Sequence, residues 1–172
     1  MILTDALLKV RYLLDEPVAK MWSDDQIKAW LNDGLQSMCI RRGIEEIWTD
    51  TLAAETAAWL PTDFLSIYKV TVADEAVTAY TVFHDTLTFD EAQTGAMKVY
   101  GTRAPDTMTS DDSFELPSAF VEGCVDYACW AANQKDEHYD EGGFYWNLFL
   151  AKRQEWELSR KFAPTSMTNA WM

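Results

Sequence analysis

The residues best equipped for chemistry lie at Asp136-Glu137-His138-Tyr139-Asp140-Glu141, where carboxylates and an imidazole crowd together. Such groups hold a divalent cation when they converge on it, and a small metal-dependent hydrolase would use that cation to activate water. Here they follow one another at a helix–helix junction instead of being spaced to converge, so they read first as a polar turn. His84-Asp85 has no Ser or Cys nucleophile patterned around it and reads as the charged tip of a turn, not as part of a triad. Cys39, Cys124 and Cys129 lack ligand-pair spacing and sit among apolar neighbours, as reduced core thiols do. Neither Gly-x-Gly-x-x-Gly nor a phosphate-binding Gly-Lys-Ser/Thr loop occurs. The chain is therefore expected to be no enzyme, with no catalytic residues, no metal and no cofactor.

Charge is the second chemical signal. The chain carries 28 Asp and Glu against 14 Lys and Arg, a formal net charge of −14. A field of that sign repels phosphates, which argues against conventional DNA or RNA binding. Between Val70 and Met97, Asp74, Glu75, Asp85, Asp90 and Glu91 stand with no Lys or Arg; from Ala104 to Glu141, ten carboxylates, Asp111 and Asp112 among them, meet only Lys135. An acidic DNA mimic that inhibits a nucleic-acid enzyme is one use for such a field, although a mimic has little need of the apolar run Phe144 to Ala151. An ordinary solvated surface is another.

These residues must be positioned by one domain. At 172 residues, 48% hydrophobic and 13% aromatic, the chain can bury a single core. Met1-Ile2-Leu3-Thr4-Asp5 lacks the basic start and apolar run of a signal peptide, and no stretch approaches a membrane span. Synthesis in a cytoplasm and no membrane partner are expected. A first helix over 4–15 carries Leu7, Val10 and Leu14 on one line and stops at Glu16-Pro17. A second helix, 23–42, opens on Ser23 with Gln26 completing a capping box; Ile27, Trp30, Leu31, Gly34, Leu35 and Met38 form its inner face. Arg41-Arg42 suit its C-terminus, and Gly43 is its left-handed cap.

From 47 to 101 the texture becomes β-branched and aromatic in short alternating runs: Ile67 to Val72, Val77 to Phe83, Thr86 to Phe89 and Met97 to Tyr100. His84-Asp85 and Gln93-Thr94-Gly95 read as the turns between them, which predicts an antiparallel meander or small barrel. A third helix, 117–135, starts at Pro117, and a fourth runs 140–161. The first half of that fourth helix is apolar all round, as in a helix covered on two sides; a second copy of the chain or another protein is the natural cover. Residues 162–172 have no period and end in Trp-Met, a C-terminal docking tail. Aromatic and Met residues favour interface cores, so Trp146, Leu150, Trp156, Phe162, Trp171 and Met172 are the expected contacts.

The order of these parts, Trp22-Ser23-Asp24 with Ile27, Trp30-Leu31-Asn32 and Gly34-Leu35, then Leu60-Pro61-Thr62-Asp63-Phe64, the Tyr100 to Pro105 strand exit, Asp111-Asp112-Ser113-Phe114-Glu115-Leu116-Pro117 and two long C-terminal helices, resembles the head-to-tail adaptor (connector) proteins of tailed bacteriophages. The resemblance spans nearly the whole chain. It implies an α+β fold: a four-helix bundle, a single adaptor domain over 1–161, with the small antiparallel β-meander or barrel inserted between the second and third helices. It further implies a structural virion protein at the head–tail interface, made in the host cytoplasm and assembled as a ring, commonly a dodecamer, beneath the portal protein. The last helix and tail would face the portal or a neighbouring subunit, and the strand region would meet the next tail or tail-completion protein. DNA would pass through the channel without specific binding. Asp74, Glu75, Asp85, Asp90, Glu91, Asp111 and Asp112 would then lie on a lumen or tail-facing surface.

Overall fold

The computed structural model describes residues 1–16, 20–109 and 112–159. In chain order the elements are α1 (Leu3–Leu13), α2 (Asp24–Cys39), β1 (Ile44–Trp59), β2 (Phe64–Val72), β3 (Glu75–Val77), β4 (Tyr80–Phe83), β5 (Thr86–Arg103), α3 (Ser118–Lys135) and α4 (Tyr139–Leu158). The described residues fall into two compact units: Met1–Arg42 with residues 105–159, and Gly43–Ala104.

In the helical unit, α2 starts as its sequence dictates. The Ser23 hydroxyl accepts the Gln26 N–H at 3.2 Å, and the Gln26 side chain returns to the Ser23 N–H at 3.0 Å. Ile27, Leu31, Leu35 and Met38 are fully buried, whereas Trp30 is half-buried and stacks edge-on against Trp22 at 5.2 Å. The inner stripe of α3 is built of small residues, Cys124, Val125, Ala128 and Ala132, so its neighbours approach closely. A Cβ on Gly34 of α2 would stand 3.1 Å from the Cα of Cys124. Burial lifts the thiols of Cys39 and Cys129 to about 12 and pushes Cys124 up as well, so all three stay protonated.

The expected simple four-helix bundle with a meander or barrel inserted into it is not what forms. α1, α2 and α4 each pack on α3, and α4 buries Gly142, Phe149 and Trp156. A simple bundle would give every helix two flanking neighbours; among the described residues α3 is the hub, and α4 keeps a long face uncovered.

The strand region departs further from expectation. Its five strands make an open sheet in the order β1-β5-β2-β3, with β4 also on β5. A meander would pair β1 with β2; instead β1 runs antiparallel to β5, from Ile44↔Arg103 to Trp59↔Thr86. Gln93-Thr94-Gly95 is not a turn but lies inside the 18-residue β5. The irregularity there is a bulge: the pairing jumps from Glu55↔Gln93 to Ala57↔Thr88, so β5 carries extra residues and the sheet bends. His84-Asp85 is the expected turn, with His84 at φ 54°. Beyond the bend, β4 occupies the edge of β5 that β2 occupies before it. Leu52, Ala58, Val70, Leu87, Phe89, Met97 and Val99 form a core belonging to this unit alone.

Candidate functional site

The apolar run of the last helix is held on one side by its own unit. Tyr127 and Trp130 of α3 meet Trp146 and Phe149 of α4 in an aromatic cluster, with Trp130 and Trp146 centred 4.6 Å apart and Tyr127 and Phe149 at 5.2 Å. Two turns further on, Trp156 is only 5% exposed and packs edge-on against Phe120. The Arg42 guanidinium lies 3.9 Å over the Trp156 ring, while its Nη1 donates to the Trp156 carbonyl at 2.5 Å and to the Ser159 hydroxyl at 2.6 Å. Arg41 reaches Glu157 at 3.7 Å. The two arginines that suit the end of α2 in sequence therefore serve the end of α4, where orphan carbonyls need donors.

Among the described residues nothing covers the opposite side of α4. Phe144 is 61% exposed, Leu148 38% and Leu158 76%, and Ala151 is exposed between them. With Glu155 these residues recur at alternating four- and three-residue steps, the spacing by which one helix offers a seam to another. Leu150 is exposed beside this seam, Trp146 is half-buried in the aromatic cluster, and Trp156 is enclosed. Phe162, Trp171 and Met172 lie outside the described residues, as does Asp111. Residue type alone does not single out Phe144, Leu148 and Leu158 as contacts. Their spacing was the signal that could have found them.

The acidic residues divide between the units. In the sheet unit, Asp74 at the β2–β3 turn takes a hydrogen bond from Lys98 at 2.6 Å, which holds its carboxyl below the usual range. Glu75, Asp90 and Glu91 are exposed, and the main-chain oxygen of Asp85 accepts the Leu60 N–H at 2.6 Å. In the helical unit, exposed Asp112 accepts the Thr109 N–H and hydroxyl at 2.8 and 3.0 Å, which lowers its pKa.

The clustered ligands at the α3–α4 junction do not converge. Asp136 stands 3.4 Å from His138 Nδ1, but among the described residues no three His, Cys, Asp or Glu side chains gather at one point. A cavity of about 430 Å³ opens here, bounded by Asp136, His138, Glu141, Glu16 and Trp22. Its buried carboxylate is already committed. Burial alone would raise Glu16, yet the N–H groups of Met21, Trp22 and Lys20 and the Arg11 guanidinium hold it below the ordinary carboxylate range. It is a ligand for its own loop, not a base awaiting a substrate.

A family model described as SU10 adaptor protein matches residues 1–164. No curated protein matches the sequence.

Proposed function

Because the chain belongs to the SU10 adaptor protein family, we propose that it is a structural head-to-tail adaptor of a tailed bacteriophage. Subunits join as a ring, a dodecamer by the resemblance of its sequence, beneath the portal protein, and the ring extends the DNA channel towards the tail. The chain is made in the host cytoplasm and ends at the head–tail junction of the virion. The match over residues 1–164 carries this reading. The uncovered seam of Phe144, Leu148, Ala151 and Leu158 supports it, since a neighbouring subunit packed there would remove apolar surface from water at about 25 cal/mol per Å². Exposed carboxylates such as Asp90 and Glu91, with a formal charge of −14 on the chain, would let DNA pass without a basic brake.

Mixing the purified chain with the portal of its phage and imaging by negative stain tests the reading. Rings seated on the portal are expected; a chain that never joins a portal-containing particle would overturn it. The double substitution Phe144→Glu and Leu148→Glu should abolish the rings while leaving the melting temperature of the free chain unchanged, because both side chains already face water. Loss of fold and assembly together would make the seam part of the subunit's own core.

A further inference from the structure

Beyond the bulge, the sheet unit ends in three strand segments side by side: the last residues of β1, the first of β5, and β4. Thr86 pairs with Trp59 on one side and Phe83 on the other, and Thr88 pairs with Ala57 and Thr81 in the same way. Directly paired residues of an antiparallel ladder share a face, so Trp59 and Phe83 flank Thr86 on one face, above a row of Ala57, Thr88 and Thr81. The other face at this point holds Leu87 and Ala58, both buried. The first face is bare: Trp59 is 72% exposed and Phe83 75%, with the His84 ring edge-on to Phe83 at 4.3 Å.

Two further observations say what fits there. First, β4 pairs with β5 alone among the described residues. The Asp90 N–H donates to the Ala79 carbonyl, so by the two-residue alternation Phe83, Thr81 and Ala79 turn their backbone groups to β5. Tyr80 and Val82 turn theirs to the open edge. An unpaired edge of this kind accepts a further strand. Second, residues 53–59 and 79–93 carry Glu55, Asp85, Asp90 and Glu91 and no Lys or Arg. The cations of the unit lie elsewhere: Lys98 on Asp74, Arg103 on Glu46, and Lys69 over the Tyr100 ring. A second copy of this acidic tip would be repelled, whereas a basic segment would be drawn in.

We propose that the β4 edge and the Trp59–Phe83 face form a docking site for an extended, basic segment of a different protein, added as a strand beside Tyr80–Phe83. Its alternate apolar side chains lie against Phe83, the aromatic that borders the edge, and its Lys or Arg residues meet Asp85, Asp90 and Glu91. The site rests on the adaptor reading for its partner's identity as the next tail component, but not for its chemistry.

The full chain is titrated with a short peptide alternating Val and Thr between terminal lysines, and amide exchange is followed residue by residue. Protection of the Tyr80 and Val82 N–H groups is expected, with affinity that falls as salt rises. Val82→Pro should remove the protection, and Phe83→Ala should weaken binding by about tenfold. Equal binding of the same peptide with terminal glutamates, or binding that leaves the Tyr80 and Val82 amides exchanging freely, would overturn the site. Portal rings formed by Val82→Pro report on the adaptor reading separately. Their presence with loss of peptide binding supports both, and rings without wild-type peptide binding sink the docking site alone.

Discussion

Asp126 on α3 is a half-buried carboxylate whose surroundings work against its charge. Burial raises its carboxyl to about 6, Glu122 adds to the rise, and Lys9 and Lys152 only partly oppose it. A raised folded-state pKa contributes stability that is complete below the unfolded value and is lost as pH climbs through about 6. Asp126→Asn should therefore stabilise the chain at neutral pH by about 1 kcal/mol, since solvent screens the charge of a half-exposed group. In melting temperature that is about 2–4 °C, vanishing below about pH 3, where Asp126 is protonated folded or unfolded. A thermal melt series over that pH range checks it, and a difference independent of pH would exclude titration as its origin. Residue type alone misleads at this scale. Trp156 and Phe144 are both large aromatics of one helix, yet one is enclosed by Phe120 and Arg42 and the other faces water.

Elements carry the contrast between what local chemistry specifies and what pairing imposes. The α2 start is written in Ser23 and Gln26, and the open seam of α4 in its apolar excess. By contrast β1 was not legible: Glu45, Glu46, Ala53, Ala54, Glu55, Ala57 and Ala58 have little strand propensity, and the segment is extended because β5 offers it a ladder. The meander and barrel expectation failed for the same reason, since texture locates strands without saying which ones pair. Close packing gives a further prediction. A Cβ on Gly101 of β5 would collide with the Ser66 carbonyl and stand 2.8 Å from the Phe64 ring, whereas at Gly143 of α4 nothing lies within 4 Å. Gly101→Ala should lower stability by about 1–3 kcal/mol, seen as a lower urea midpoint at unchanged slope. Gly143→Ala should raise it by up to about 1 kcal/mol through helix propensity. Equal effects at the two positions would contradict this packing.

At the scale of the whole molecule, two cores were hidden in a composition that announces only one. The sheet unit has its own buried set around Val70, Met97 and Val99, and its first and last strands begin and end side by side at Ile44↔Arg103. Residues 43–104 expressed alone should give the dispersed amide spectrum of a folded sheet, with modest stability for so small a core; a collapsed spectrum would mean that the core depends on the helices. That pairing at the base also decides how the unit bears load. Trp59 at the tip is joined to Ile44 by β1, and Phe83 is joined through the His84-Asp85 turn to Arg103 by β5. The 16 and 18 residues of these strands give each a contour of roughly 50–60 Å. Tension applied at Trp59 and Phe83 would travel to the base along two unbroken covalent backbones in parallel. The hydrogen-bonded ladder between them would be spared the pull.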